Sequence, residues 1–268
     1  MIRQSQKNNT LVCVGLDSDL NKLPSSFRSS RQPILEFNRA IVDATADLVC
    51  AFKPNSAFYE ALGSEGIAQL KATCDFIHTN YPDVPVILDA KRGDIGSTSE
   101  AYARYTFDYL GADAVTLHPY LGHEALKPFL QRGEKGNIIL CRTSNPGAGE
   151  LQDLVVEGEP MYKRVARQVV TEWNSNGNCL LVVGATYPKE LGAVRQIATD
   201  MVFLVPGVGT QGGKVEDIMP EGIRPDGRGM IINSSSGIIF ASKGPDFAER
   251  AQEQTNILRI SINNYRPN

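Results

Sequence analysis

The apolar run that opens VILDAKRGDIG (86–96) ends in four ionisable side chains, Asp89, Lys91, Arg92 and Asp94, within six positions. Strand side chains alternate, so Asp89 and Lys91 are expected on one face. Arg92 would then turn toward the helix layer or solvent, and Asp94 would lie on the loop beyond. A second lysine, Lys53, ends another apolar run in FKPNSAFYE (52–60), where Pro54 breaks regularity at once. Lys53, Asp89, Lys91 and Asp94 together make a set of two ammonium groups and two carboxylates. Opposite unit charges about 4 Å apart attract by roughly 4 kcal/mol at an effective dielectric of 20. A lysine between two carboxylates therefore stays protonated despite partial burial. That state suits a proton donor to a developing carbanion, and a nearby carboxylate would favour loss of an anionic group. The same charges could instead form a structural ion-pair network at a strand end.

VPGVGTQGGK (205–214) suggests a second kind of chemistry. Closely spaced glycines free backbone N–H groups that can nest an anion such as a phosphate. The stretch also spells G-x-G-x-x-G at Gly207, Gly209 and Gly212. A dinucleotide site needs a helix directly after that pattern and an acidic residue ending the next strand. Here Pro220 and Pro225 are expected to break VEDIMPEGIRPDGRG, and the next apolar run ends in Asn-Ser-Ser, so nicotinamide dinucleotide binding is not expected. Ser144 in RTSNPG has no local His and Asp partners for nucleophilic catalysis, but it could hydrogen-bond a substrate amide edge. His118 and His123 do not match H-E-x-x-H, and the chain has only three histidines, so no zinc site is expected. His118 is expected to pack at a strand end, His123 near a helix start, and Trp173 as a packing residue late in a helix.

These residues need a scaffold, and the chain spells one out. Apolar runs recur as LVCVGL (11–16), LVCAFK (48–53), VPVILDA (84–90), DAVTLH (113–118), NIILCR (137–142), CLLVVGA (179–185), MVFLVPG (201–207) and GMIINSS (229–235). Short, β-branched runs with consecutive apolar positions suit strands buried on both faces of a parallel sheet. Helical spacing fills most of the gaps, as in PILEFNRAIVDATADL, GIAQLKATCDFIHTN and STSEAYARYTFDYLG. In the last of these, the Ser97/Thr98/Ser99 cluster offers N-caps and Gly111 an end. Eight strands alternating with helices predict a single-domain α/β fold over residues 1–268, a (β/α)8 TIM barrel. A doubly wound open sheet is the alternative; no linker or composition shift divides the chain. In such barrels the active site lies at the C-terminal ends of the strands. Asp17, Lys53, Asp89, Lys91, His118, Thr143, Ser144, the glycine turn and Asn233 all fall there.

Composition narrows the function classes. Of the 268 residues, 42 % are hydrophobic and 21 % charged, which allows a sizeable core. A net charge of −3 gives no electrostatic reason to expect nucleic acid or an anionic membrane as partner. The polar start, MIRQSQKNNT, does not read as a signal peptide, and no apolar run approaches the roughly 18 residues of a membrane helix. The five cysteines form no C-x-x-C pair and sit mostly in apolar runs, as expected of buried hydrophobes in a reducing, cytoplasmic setting.

LDAKRGDIGST resembles the D-x-K-x-x-D signature of the orotidine 5'-phosphate decarboxylases. FKPNSAFYE, TSNPG and VPGVGTQGG resemble that family's other site segments in order and spacing, especially in its longer bacterial subgroup (type 2). The resemblance implies a homodimeric enzyme that converts orotidine 5'-monophosphate to UMP and CO2, the last step of de novo pyrimidine nucleotide synthesis, with no metal or organic cofactor. It implies Lys91 as proton donor to C6 of the pyrimidine and Asp89 against the departing carboxylate. Lys53 and Asp94 would complete the network, Asp94 reaching across the dimer to a shared active site. Asp17 would contact ribose with Thr98 in support from the partner subunit. Ser144 would meet the pyrimidine edge, and Gly207, Gly209 and Gln211 would grip phosphate. One position departs: NSSSGI puts Ser236 where the family usually has a phosphate-binding arginine, with Lys243 or Arg228 as conceivable substitutes. Two other readings share parts of this pattern: a magnesium-dependent sugar-phosphate lyase or decarboxylase, and a catalytically silent nucleotide-binding barrel.

Overall fold

A computed structural model describes residues 2–27, 29–209 and 212–267. All eight apolar runs contain strands: β1 (Val12–Leu16), β2 (Ala51–Pro54), β3 (Ile87–Arg92), β4 (Ala114–Leu117), β5 (Gly136–Arg142), β6 (Cys179–Val183), β7 (Phe203–Pro206) and β8 (Met230–Ser234). A helix follows each: α1 (Pro33–Thr45), α2 (Gly63–Asn80), α3 (Gly96–Ala103), α4 (Gly122–Leu130), α5 (Met161–Gln168), α6 (Pro188–Ile197), α7 (Val215–Gly222) and α8 (Phe247–Asn263). The sheet order is β2-β1-β8-β7-β6-β5-β4-β3. The strands at its two ends are bridged in parallel at Phe52–Val86 and Asn55–Asp89. This is the (β/α)8 topology, not the open-sheet alternative. All five residues of β1 and of β6 are buried, as expected of strands covered on both faces.

The chain forms two compact units. One contains the segments up to Ala90, Thr106–Asp113 and Asn233–Asn264. In it α1 starts at Pro33 with no cap from its own preceding residue. Gln69 of α2 supplies the cap, its Oε1 accepting from the Ile34 and Leu35 amides at 3.0 and 3.2 Å. Asn38 on α1 accepts from Ser18 Oγ at 2.5 Å and donates to Tyr59 Oη at 2.9 Å; Tyr59 donates to the Leu16 carbonyl at 3.0 Å. These buried bonds hold the end of β1 on both sides of Asp17. Phe27, Phe37 and Phe247 pack as a cluster with ring centroids 5.3–5.8 Å apart.

The other unit contains Lys91–Tyr105, Ala114–Ile232 and the segment from Tyr265. Its helices differ from the sequence expectation in two places. α3 begins at Gly96, ahead of the serine–threonine cluster, with no side-chain cap on its Ncap residue Ile95. Glu124 Oε1 accepts from the Gly96 amide at 3.2 Å, and Ser99 Oγ donates to the Ala125 carbonyl at 2.5 Å, so the serine is used for packing against α4. α7 forms although Pro220 lies within it. An interior proline costs about 3 kcal/mol in an isolated helix. Here only the last turn is affected, and Val215, Ile218, Met219 and Gly222 are buried. Arg195 of α6 donates to the carbonyls of Ala198, Met201, Gly222 and Gly229 at 2.6–2.9 Å, tying α6 and α7 to the chain entering β8.

Candidate active site

In the first unit, Lys53 and Asp89 meet through their side chains. Lys53 Nζ donates to Asp89 Oδ2 at 2.8 Å, with the two side chains only 3 % and 11 % exposed. Asn55 bridges to Asp89, which brings the ends of β2 and β3 together. Burial is the largest influence on Lys53 and works against its charge. Attraction to Asp89 and then Asp17, with the Asp89 hydrogen bond, outweighs burial and holds the ammonium above its ordinary pKa. Asp17 follows β1 directly and is half-buried. Its Oδ1 is a buried acceptor without a donor among the described residues, as is Oδ1 of Asn233 on β8.

Lys91, at the other side of Ala90, is exposed on its unit. Its φ is 48°, in the left-handed region, and its amide donates to Thr116 Oγ1 at 2.9 Å. Lys91 keeps its place in β3 (Ile87–Arg92) with this left-handed φ. Arg92 turns to the helix layer, its guanidinium 5.0 Å from the Tyr102 ring. Asp94 is half-buried, and its Oδ1 accepts from the Ile95 amide at 2.7 Å. Thr98 is exposed in the first turn of α3. His118 directly follows β4, as expected for a strand end, with Nε2 2.8 Å from the Gly93 carbonyl. His123 stacks on Trp173 at 6.1 Å, near the start of α4.

Ser144 is half-buried just past β5, and its carbonyl accepts from Thr186 Oγ1 at 3.2 Å. Gly207 and Gly209 have φ of 100° and 87°, values that favour glycine. Gly209 donates to Gly213, Gly212 to Gly209, and Gly213 to Gly207, at 2.8–3.0 Å. These three amides are engaged within the loop, so the nest expected from the glycine spacing does not use them. Gln211 lies outside the described residues. Ser236 is half-buried and begins the short helix Ser236–Ile239. Arg228 precedes β8 and Ser236 follows it. Lys243 lies exposed beyond that helix.

Among the described residues no group of three or more His, Cys, Asp or Glu side chains is placed to hold a metal ion. Among the described residues no helix is long and apolar enough to cross a membrane. All five cysteines are buried and unbridged, and burial pushes the Cys141 thiol up to about 12. Sequence reasoning did not single out Arg142, Thr116 or Gln69. Arg142 did leave a signal: it is an arginine closing an apolar strand, directly before TSNPG enters the loop.

Comparison with known proteins adds an independent result. The family model described as "Orotidine 5'-phosphate decarboxylase / HUMPS family" matches residues 10–251. The orotidine 5'-phosphate decarboxylase of Cellvibrio japonicus is 51 % identical over 258 residues, covering 96 % of this chain and 94 % of its own length. Among solved structures, Leishmania donovani OMP decarboxylase aligns with a TM-score of 0.85 at 36 % identity, covering 98 % of this chain and 96 % of that one. Leishmania donovani UMP synthase aligns with a TM-score of 0.84 at 39 % identity; this chain spans 55 % of its length.

Proposed function

The chain belongs to the orotidine 5'-phosphate decarboxylase / HUMPS family and is one of its enzymes, and from that premise we propose that it decarboxylates orotidine 5'-monophosphate to UMP and CO2 by means of a lysine–aspartate network. The observation that carries the network is the buried Lys53–Asp89 pair. Removing two charges from water costs several kcal/mol per ion, and a buried ion pair often adds nothing to stability over apolar residues. Such a pair at the C-terminal ends of barrel strands has its value in preorganised charge.

Loss of CO2 from this substrate leaves a carbanion at C6 with no conjugated carbonyl to delocalise it. Electrostatics and a ready proton remain. Enzymes lower barriers by about 8–23 kcal/mol, and this reaction needs the upper end. Asp89 stands against the departing carboxylate, and its repulsion is relieved as CO2 leaves. Lys53 keeps Asp89 ionised and oriented. Lys91 delivers the proton to C6, and Asp94, contributed by the partner copy in a homodimer, completes the set. Binding of the remote parts of the substrate offsets the cost of forcing the carboxylate onto Asp89. The acceptor Oδ1 of Asp17 fits a ribose hydroxyl, which donates, and does not fit a phosphate, which only accepts. Thr98 supports the ribose from the partner copy, Ser144 meets the pyrimidine edge, and the Gly207–Gly209 loop with Gln211 and Ser236 closes on phosphate. A pyrimidine-nucleotide enzyme of this kind works in the cytoplasm.

The test is to incubate the purified protein with orotidine 5'-monophosphate and follow the pyrimidine absorbance, with and without EDTA. Equal turnover in both is the expected result. Turnover that EDTA abolishes points to the metal-dependent lyase reading, and no turnover at all points to a silent nucleotide-binding barrel.

A further inference from the structure

Arg142 is among the largest fully buried side chains of the molecule, 2 % exposed, at the end of β5 immediately before the loop that carries Ser144. Its guanidinium faces Asp153 through two nitrogens: Nη2 donates to Oδ2 at 3.0 Å, and Nε lies 3.0 Å from Oδ1. Nη1 donates to the Thr143 carbonyl at 2.9 Å, and the plane lies 3.9 Å from the centroid of the Tyr187 ring. A planar fork that pairs with a carboxylate and stacks on an aromatic ring at once is a task lysine cannot copy.

The surrounding bonds converge on the same short segment. Gln152, next to Asp153, accepts from the Thr143 amide at 2.8 Å and donates to Thr143 Oγ1 at 2.9 Å. The Gly184 amide donates to the Arg142 carbonyl at 2.7 Å. A Cβ on Gly184 would stand 2.7 Å from the Ser144 nitrogen and 2.8 Å from its Cα, so only glycine lets the end of β6 pass that close. Thr186 holds the Ser144 carbonyl from the next residues. Ser144 is thus gripped on both sides, and the charged end of the grip is Arg142.

We infer that Arg142 is a positioning residue: with Asp153 and Tyr187 it sets the place of Ser144, and through Ser144 it governs how the pyrimidine edge is held. This rests on the reading of Ser144 given above. A misplacement of about 1 Å can cost about 10²-fold in rate, and that is the loss in kcat/KM expected of Arg142→Lys. Ser144→Ala should lower kcat/KM as well, and the double variant should lose no more than the worse single one. Losses that multiply, or a Ser144→Ala protein as active as wild type, would overturn the inference. Asp153→Asn removes the carboxylate from a half-exposed site and provides a milder variant should Arg142→Lys not fold. Hydrogen exchange of the 143–152 amides in the Asp153→Asn protein should accelerate; unchanged exchange overturns the positioning role whatever the substrate. A wild type inactive on orotidine 5'-monophosphate would sink the functional reading instead, while the exchange result still decides the grip.

Discussion

Lys53 and Lys91 are the same residue type in opposite surroundings, one buried and the other exposed. Lys53 is buried and paired, so replacing it with methionine removes the ammonium 2.8 Å from the buried Asp89 carboxylate. Breaking one partner of a buried pair costs about 3–5 kcal/mol, and urea unfolding of Lys53→Met should show a loss of that size along with loss of turnover. The folded pKa of Lys53 lies above its unfolded value of about 10.4. Its stabilising contribution is therefore complete below about pH 10 and is lost as pH rises through the folded value. An inflection near neutral pH in the activity profile that disappears in Lys53→Arg would contradict this. Lys91 is exposed and sits at a left-handed φ. Lys91→Ala should abolish turnover and leave the fold intact. Lys91→Gly should be equally inactive yet more stable than Lys91→Ala by roughly 1 kcal/mol, because glycine carries no Cβ penalty there. Equal unfolding midpoints for the two variants would show that the backbone at 91 stores no strain.

Among the elements, helix ends show how this chain meets its backbone needs. α1 begins with proline, whose missing N–H is no loss at that position, and the next two amides are satisfied by a glutamine from α2. Gln69→Ala should cost about 2 kcal/mol, since it removes a cap and strands two buried donors. Thermal and urea denaturation of the variant check this, and a change within error would mean that another group takes over the amides. α3 likewise takes its first contact from Glu124 rather than from the serines in its own sequence. The glycine turn after β7 spends three of its amides on holding itself closed. Phosphate recognition by that loop therefore depends on its other groups, which matters more with serine at position 236.

For the whole molecule, the reading proposed above calls for a second copy of the chain. If Asp94 acts across a dimer, mixing Lys91→Ala with Asp94→Ala protein should regain measurable turnover, because one of the two sites in a heterodimer has both residues intact. Native mass spectrometry identifies the heterodimers, and absence of any regain in them would place Asp94 within its own subunit's chemistry.

The order of strands and helices could be read from the chain because each depends on local pattern: short β-branched runs against segments with helical spacing. The concentration of carboxylates and ammonium groups at strand ends was equally visible, since strand ends are where a barrel places its chemistry. Pairing was not. Which carboxylate Lys53 would meet depends on the β2–β3 closure, between residues 36 apart in the chain. The left-handed φ of Lys91, whose amide is taken by a threonine on β4, was equally hidden. The cap on α1 and the grip of Asp153 on Arg142 belong to the same class. Each satisfies a buried donor or charge with a partner that only folding brings within reach, and no spacing along the chain encodes that distance.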